Sequence, residues 1–248
     1  MTDIHSHVLP GVDDGSMDVE MSLDMLDMAF QSGVDTLVMT PHGNIPDLYE
    51  NYADSHLLHA FQELEKAKEE AGIPIRLIRG MEVYTTDDMP ELFQQKKLLT
   101  INGTHYMLME FAFDEDPDFA SMKIEEIQRL GVRPVIAHPE RYFFIQDDLT
   151  IAFHWCVTGC ALQVNKGSLL GKFGPGPEFA AHEILKHNLA ACIASDAHRS
   201  YSRTTHMGEL REFLIREYDE DFAELMLKIN PDRIIQGRRL FGYEPVPF

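Results

Sequence analysis

The chain has 248 residues, 44% hydrophobic and 25% charged, which is enough apolar material for a sizeable core and too much for a disordered chain. Its 21 basic and 41 acidic residues give a net charge of −20. That excludes broad capture of nucleic acid or of an anionic membrane, since both need clustered Lys and Arg. No apolar run approaches the roughly 18 residues of a membrane span, and the opening MTDIHSH lacks the basic and apolar regions of a signal peptide. Three cysteines, Cys156, Cys160 and Cys192, are few and odd in number. The expectation is a cytoplasmic protein that is not embedded in a membrane.

Short β-branched apolar runs alternate with amphipathic segments. DIHSH (Asp3–His7) opens the chain, followed by a helical pattern with Val19, Leu23, Leu26 and Phe30 on one face, ending at Gly33. TLVMT (Thr36–Thr40) is the second run, followed by a helix near Tyr52–Ala71. IRLIRGMEV (Ile75–Val83) is the third, and YMLMEF (Tyr106–Phe111), entered through Asn102-Gly103, is the fourth. A helix near Asp118–Leu130 precedes PVIAHP (Pro134–Pro139). ALQVNKG (Ala161–Gly167) and ACIASDAH (Ala191–His198) are the sixth and seventh runs. Helices are expected at Asp148–Thr158, Glu178–Lys186 and Thr204–Leu227. Seven near-continuously apolar strands alternating with helices predict an α/β fold with a parallel sheet, closed into a barrel as the simplest way to remove its edges, with an open doubly wound sheet as the alternative. No linker or repeat divides the chain, so residues 1–248 are expected to form a single domain.

The ionisable residues gather at the C-terminal ends of these runs. The first carries His5 and His7, the second His42, the third Glu82, the fourth Glu110, the fifth His138, and the seventh Asp196 and His198. Only the sixth differs, with Asn165 and Lys166. Barrel enzymes build their sites at this end of the strands. Crowded carboxylates need cations to neutralise them, and an all-nitrogen-and-oxygen donor set suits Mn, Fe, Zn or Mg. Eight residues are too many for one ion, so two or three are expected, as in multi-metal hydrolysis. In LPGVDDGS (Leu9–Ser16), Asp13 and Asp14 are both candidates, beside the plainer reading of an Asp-Gly turn with Ser16 as helix cap.

DIHSH, TPH (Thr40–His42), GMEVY (Gly80–Tyr84), AHPERY (Ala137–Tyr142) and SDAHR (Ser195–Arg199) together resemble the polymerase and histidinol phosphatase (PHP) superfamily. Within it, DIHSHVLPGVDDGS resembles the CpsB/YwqE-like manganese-dependent protein-tyrosine phosphatases of bacterial capsule and exopolysaccharide regulation. The resemblance implies a distorted (β/α)7 TIM-like barrel of the PHP type with Mn2+ as the usual metal. It implies His5, His7, Glu82 and Asp196 around one ion. Glu82, Glu110 and His138 would hold a second, and Asp14, His42 and His198 a third. Arg141 and Arg203 look like phosphate-binding arginines, with Arg199 a further candidate. The implied reaction is phosphomonoester hydrolysis by metal-activated hydroxide. The implied substrate is a phosphotyrosine protein, a bacterial tyrosine autokinase.

His42 and His198 are also candidates for moving a proton. The alternatives are a PHP-type small-molecule phosphatase with a histidinol-phosphate-like substrate, and a non-catalytic metal-bearing kinase regulator. Cysteine-nucleophile chemistry would need an arginine six positions after the cysteine, and Cys192 has His198 there. Cys156 and Cys160, four apart on the expected helix, read as core. Met21, Met25 and Met28 read as core more readily than as an oligomer interface.

Overall fold

The computed structural model describes residues 1–242 and 244–248. Its strands follow the apolar runs: β1 Thr2–Asp3, β2 Thr36–Met39, β3 His42–Gly43, β4 Arg76–Arg79, β5 Glu82–Tyr84, β6 Tyr106–Glu110, β7 Arg133–Ala137, β8 Ala161–Asn165 and β9 Ala190–Ala194. They pair in parallel in the orders β1-β2-β4 and β3-β5-β6-β7-β8-β9.

The two sheets are arcs of one ring. The second and third expected strands are each broken, β2 from β3 at Thr40-Pro41 and β4 from β5 at Gly80-Met81. Proline has no N–H to give a ladder, which accounts for the first break. A Cβ on Gly80 would lie 2.9 Å from Val38 Cγ1, so glycine lets the two staves approach there. Hydrogen bonding continues across both breaks, Gly80 N donating to Met39 O at 3.0 Å and Glu82 N to Pro41 O at 3.1 Å. The first strand is shorter than DIHSH, yet residues 5–7 still bond on both sides. Thr40 N donates to Ser6 O at 2.9 Å, Asp196 N to His5 O at 2.9 Å and His7 N to Ala197 O at 2.8 Å. With β2 and β3 forming one stave and β4 and β5 another, the ring closes as a distorted barrel of seven staves.

Strand residues alternate between two apolar layers. Val38, Ile78, Leu108, Val135, Ala137 and Ala194 pack inside the barrel, while Leu37, Met39, Met107, Met109, Ile136 and Ile193 pack outward with helix residues such as Met25, Phe61, Trp155 and Ile184. The outer helices are α1 Val19–Gln31, α2 Ser55–Glu70, α3 Met89–Gln94, α4 Pro117–Arg129, α5 Phe143–Asp147, α6 Thr150–Val157, α7 Lys166–Leu169, α8 Pro175–Lys186, α9 Gly208–Glu217, α10 Glu220–Glu224 and α11 Asn230–Ile235. Ile234 and Ile235 of α11 join Ile101 and Tyr106 in the inner layer, and Tyr106 Oη donates to Arg238 O at 2.8 Å. This closes the N-terminal end of the barrel and leaves the C-terminal end as the mouth.

Several local expectations are corrected. The cap of α1 is Asp18, whose carboxylate accepts from Met21 N at 2.9 Å, while Ser16 donates to Asp18 O instead. The buried stripe of α1 is Ser22, Met25, Leu26 and Ala29, and Val19 is exposed. Of the three methionines, Met25 is fully buried and Met21 packs against the core. The expected helix Thr204–Leu227 begins at Gly208 and breaks at Tyr218, because Asp219 caps a new helix by accepting from Phe222 N at 2.7 Å. Cys160 lies past the end of α6, so it does not share a helix with Cys156. Among the described residues no helix is long and apolar enough to cross a membrane.

Candidate metal centre

The strand ends turn sharply at the mouth. His138, Asp196 and Arg203 are left-handed, with φ of 33°, 49° and 48°. Such backbone is costly for residues with a Cβ and is held here by the surroundings. Arg141 N donates back to His138 O at 2.9 Å, and His198 N to Arg203 O at 2.9 Å. Each turn aims a ring, a carboxylate or a guanidinium into one small cavity of about 190 Å³.

All nine expected donors lie in one cluster, and seven of them line this cavity. His5 Nε2 lies 3.2 Å from His7 Nε2, 3.1 Å from Glu82 Oε1 and 3.5 Å from Asp196 Oδ1. His7 Nε2 is 3.2 Å from Glu82 Oε2. His138 Nε2 is 3.1 Å from Glu82 Oε1 and 3.6 Å from Glu110 Oε1. His42 is central: its Nδ1 is 3.1 Å from Glu82 Oε2 and 3.4 Å from Glu110 Oε2, and its Nε2 is 3.5 Å from Asp14 Oδ1. His198 Nε2 also reaches Asp14 Oδ1, at 3.4 Å. Four groups have donor atoms within 4.8 Å of one another: His7-Asp14-His42-His198, His5-His7-Asp196, His5-Glu82-His138 and His42-Glu82-Glu110. Glu82 lies within 3.2 Å of the rings of His5, His7, His42 and His138, so His42 joins the partners that the resemblance implies for it, and His7 also faces Asp14.

The donor set fits cations. Glu82 Oε2 and His42 Nδ1 are buried and close, yet neither has a hydrogen bond of proper geometry. Buried polar atoms are rarely left so, and converging lone pairs of this kind are what a metal ion satisfies. Without a cation, protons must do that work. Burial opposes charge on Glu82, but the charges of His5 and His42 outweigh it and hold its carboxyl well below the usual range. Burial likewise opposes a proton on His7, yet Asp13's charge and hydrogen bond raise it well above the ordinary imidazole value. His198 goes the other way, held at about 4 by burial and by the charge of His7.

Residues outside the expected set position the donors. Asp13 Oδ2 accepts from His7 Nδ1 at 2.8 Å and from His42 N at 2.9 Å, so both aspartates of the pair face the site in different roles. Gln163 Oε1 takes the Nδ1–H of His5 at 2.7 Å. Asn165 Nδ2 donates to Asp196 Oδ2 at 2.6 Å. Asp13 was a candidate from sequence and Asn165 marked the odd strand end, but nothing in the pattern singled out Gln163. These partners fix tautomer and ring orientation.

The same Asp196 Oδ2 receives Arg203 Nη2 at 2.5 Å and lies 3.5 Å from Arg141 Nη1. Arg141 is held between the rings of Phe113 and Phe173, each 4.5 Å from its guanidinium. Arg199 stays apart, donating to His198 O. Cys192 is buried in the barrel interior, and burial pushes its thiol up, so it offers no thiolate to the site. Lys166 also turns away, its Nζ donating to Thr204 O and His206 O.

Known proteins share this architecture along the whole chain. The tyrosine-protein phosphatase YwqE of Bacillus subtilis (strain 168) is 32% identical over 247 residues, covering 100% of this chain and 96% of that one. The tyrosine-protein phosphatase CpsB of Streptococcus pneumoniae is 30% identical over 243 residues, covering 96% and 99%. A crystal structure from the description of YwqE and CpsB as metal-dependent tyrosine phosphatases superposes with a TM-score of 0.93 at 32% identity, covering 100% of this chain and 99% of that one. The lactonase Lmo2620 of Listeria monocytogenes, at 14% identity and a TM-score of 0.63 over 96% of this chain and 95% of that one, shares the fold alone. With residues 1–236 matched by the capsular polysaccharide synthesis CpsB/CapC description, the chain belongs to the CpsB/CapC family.

Proposed function

We propose that the chain is a metal-dependent protein-tyrosine phosphatase, a phosphoric monoester hydrolase working as one PHP-type domain over residues 1–248. Its substrate in this reading is a phosphotyrosine protein, a bacterial tyrosine autokinase of capsule or exopolysaccharide synthesis. The observation that carries the reading is the pairing of a nine-donor metal cluster with two arginines on one side of it, meeting at Asp196. His5, His7, Glu82 and Asp196, then Glu110 and His138, then Asp14, His42 and His198 are the proposed ligands. Two or three ions, Mn2+ first among them, would be held. Bound there, divalent ions lower the pKa of water and neutralise phosphoryl charge.

The protein's own groups do the rest. Arg141 and Arg203 hold phosphoryl oxygens, a task for which their planar forks are suited, and stabilise the charge that spreads over them. Phe113 and Phe173 fix the plane of Arg141 before substrate arrives. Asp196 holds the arginines on its Oδ2 and faces the histidines with its Oδ1. A tyrosine leaving group, with a parent pKa of about 10, needs little protonation to depart. His198 and His42 are the candidates for moving a proton, a role that competes with holding a metal ion. Three unpaired cysteines fit a cytoplasmic setting.

The test is hydrolysis of a phosphotyrosine peptide beside histidinol phosphate, using stripped protein, Mn-restored protein and a Cys192→Ser variant. Mn-dependent release from the peptide, equal in the variant, is expected. Preference for histidinol phosphate would overturn the substrate, and no turnover with metal bound would favour a binding role.

A further inference from the structure

On the far side of Arg203 from the metal centre lies a second cavity of about 550 Å³. Its wall includes Lys166, Lys172, Phe173, Tyr201, Arg203 and Glu209. These come from the stretch between β8 and α8, the segment between β9 and α9, and the first turn of α9. Arg203 also lines the cavity of the cluster, so the two spaces share one guanidinium.

The charge of this wall is opposite to that of the molecule. Three cationic side chains face one carboxylate, in a chain of net charge −20. Lys166 is a fixed positive floor, buried and anchored on two backbone carbonyls. Lys172 is exposed and adds a second ammonium to the same wall. Arg203 spends Nη2 on Asp196, but its Nε is buried without a hydrogen-bond partner. Phe173 and the exposed Tyr201 supply apolar walls. A short side chain with an apolar stem and an anionic end matches all of these features.

We propose that this cavity is a second subsite for the same substrate, taking an acidic side chain beside the phosphotyrosine. The proposal rests on the tyrosine-phosphatase reading above. It also explains how an acidic protein accepts an acidic phosphopeptide, because local cations at the mouth override the overall field.

The experiment uses the Mn-loaded full chain, wild type and Lys172→Glu, with three substrates. Two are phosphotyrosine peptides that differ only in flanking Glu or flanking Lys, and the third is p-nitrophenyl phosphate. Wild type is expected to favour the Glu-flanked peptide by about fivefold in kcat/KM, carried by KM. Lys172→Glu should abolish or invert that preference and leave p-nitrophenyl phosphate turnover unchanged, since Lys172 is exposed and does not line the cavity of the cluster. Equal turnover of the two peptides by wild type, or a preference that survives the substitution, overturns the subsite while the phosphatase reading stands. Turnover of none of the three substrates overturns the phosphatase reading itself, and the subsite with it.

Discussion

Asp13 illustrates how much of the centre depends on a residue that is not a ligand. One carboxylate oxygen accepts from both the ring of His7 and the backbone of His42, joining the first and second staves at the mouth. Asp13→Ala should weaken metal binding by about 10- to 100-fold with the ligands all present. Metal titration of the stripped variant checks this, and unchanged affinity would show that the rings are held in place without Asp13. Lys166 allows a second prediction, in pH. Burial pushes its ammonium from 10.5 down to about 8. Between those values the unfolded chain keeps a proton that the folded one has released, so stability from this group rises with pH. The gain is about 3 kcal/mol at most. Urea unfolding of wild type against Lys166→Met from pH 7 to 10 should show wild type gaining on the variant. A constant difference would mean that its two carbonyl partners keep Lys166 charged.

At the scale of elements, loop Leu9–Ser16 is pinned by its glycine. A Cβ on Gly15 would lie 2.2 Å from His7 O and 2.4 Å from His7 Cβ. Backbone cannot yield as a flexible side chain can, so Gly15→Ala must move the loop away from the strand end. Asp13 and Asp14 go with it. The expected result is metal affinity at least tenfold weaker, with thermal unfolding lowered by a few degrees. Full metal affinity in Gly15→Ala would show that the loop adapts. The elements also mark the reach of pattern reading. The 3.6-residue periodicity located α2, α4 and α8 to within a few residues, because an amphipathic face is written locally, as are the Asp caps of α2 and α4 and the proline that opens α8. It shifted the buried face of α1 and ran α9 into α10, because which face is covered and where a carboxylate finds a free N–H depend on neighbours distant in sequence. Short α3, α5, α7 and α11 carried too few turns to show a period.

For the molecule as a whole, the centre is a linkage between metal and fold. Candidate donors from six of the seven staves and from the loop after the first meet in one cluster, so an ion bound there favours only the closed barrel. Stripped protein should unfold about 5–10 °C below protein in Mn at 100 times its dissociation constant, where binding contributes about 2.7 kcal/mol. Equal unfolding temperatures would indicate that protons on the histidines substitute fully for the cations. Glu82→Ala, which removes a carboxylate within 3.2 Å of four histidine rings, should abolish most of the difference between the two forms.

The sequence by itself determined the order of the seven staves and of the longer helices, and put the candidate donors at strand ends. These follow from hydrophobic period, side-chain chemistry and the rule that barrel sites open at one end. Tertiary structure alone decided which donor faces which, because His5, Glu82 and His138 are separated in sequence by up to just over half the chain and their meeting depends on how the staves twist and stagger. It alone showed the closure of the ring through residues 5–7, Gln163 beneath His5, and Arg141 clasped by Phe113 and Phe173. Each of these joins residues that share no local pattern, and only packing brings them together.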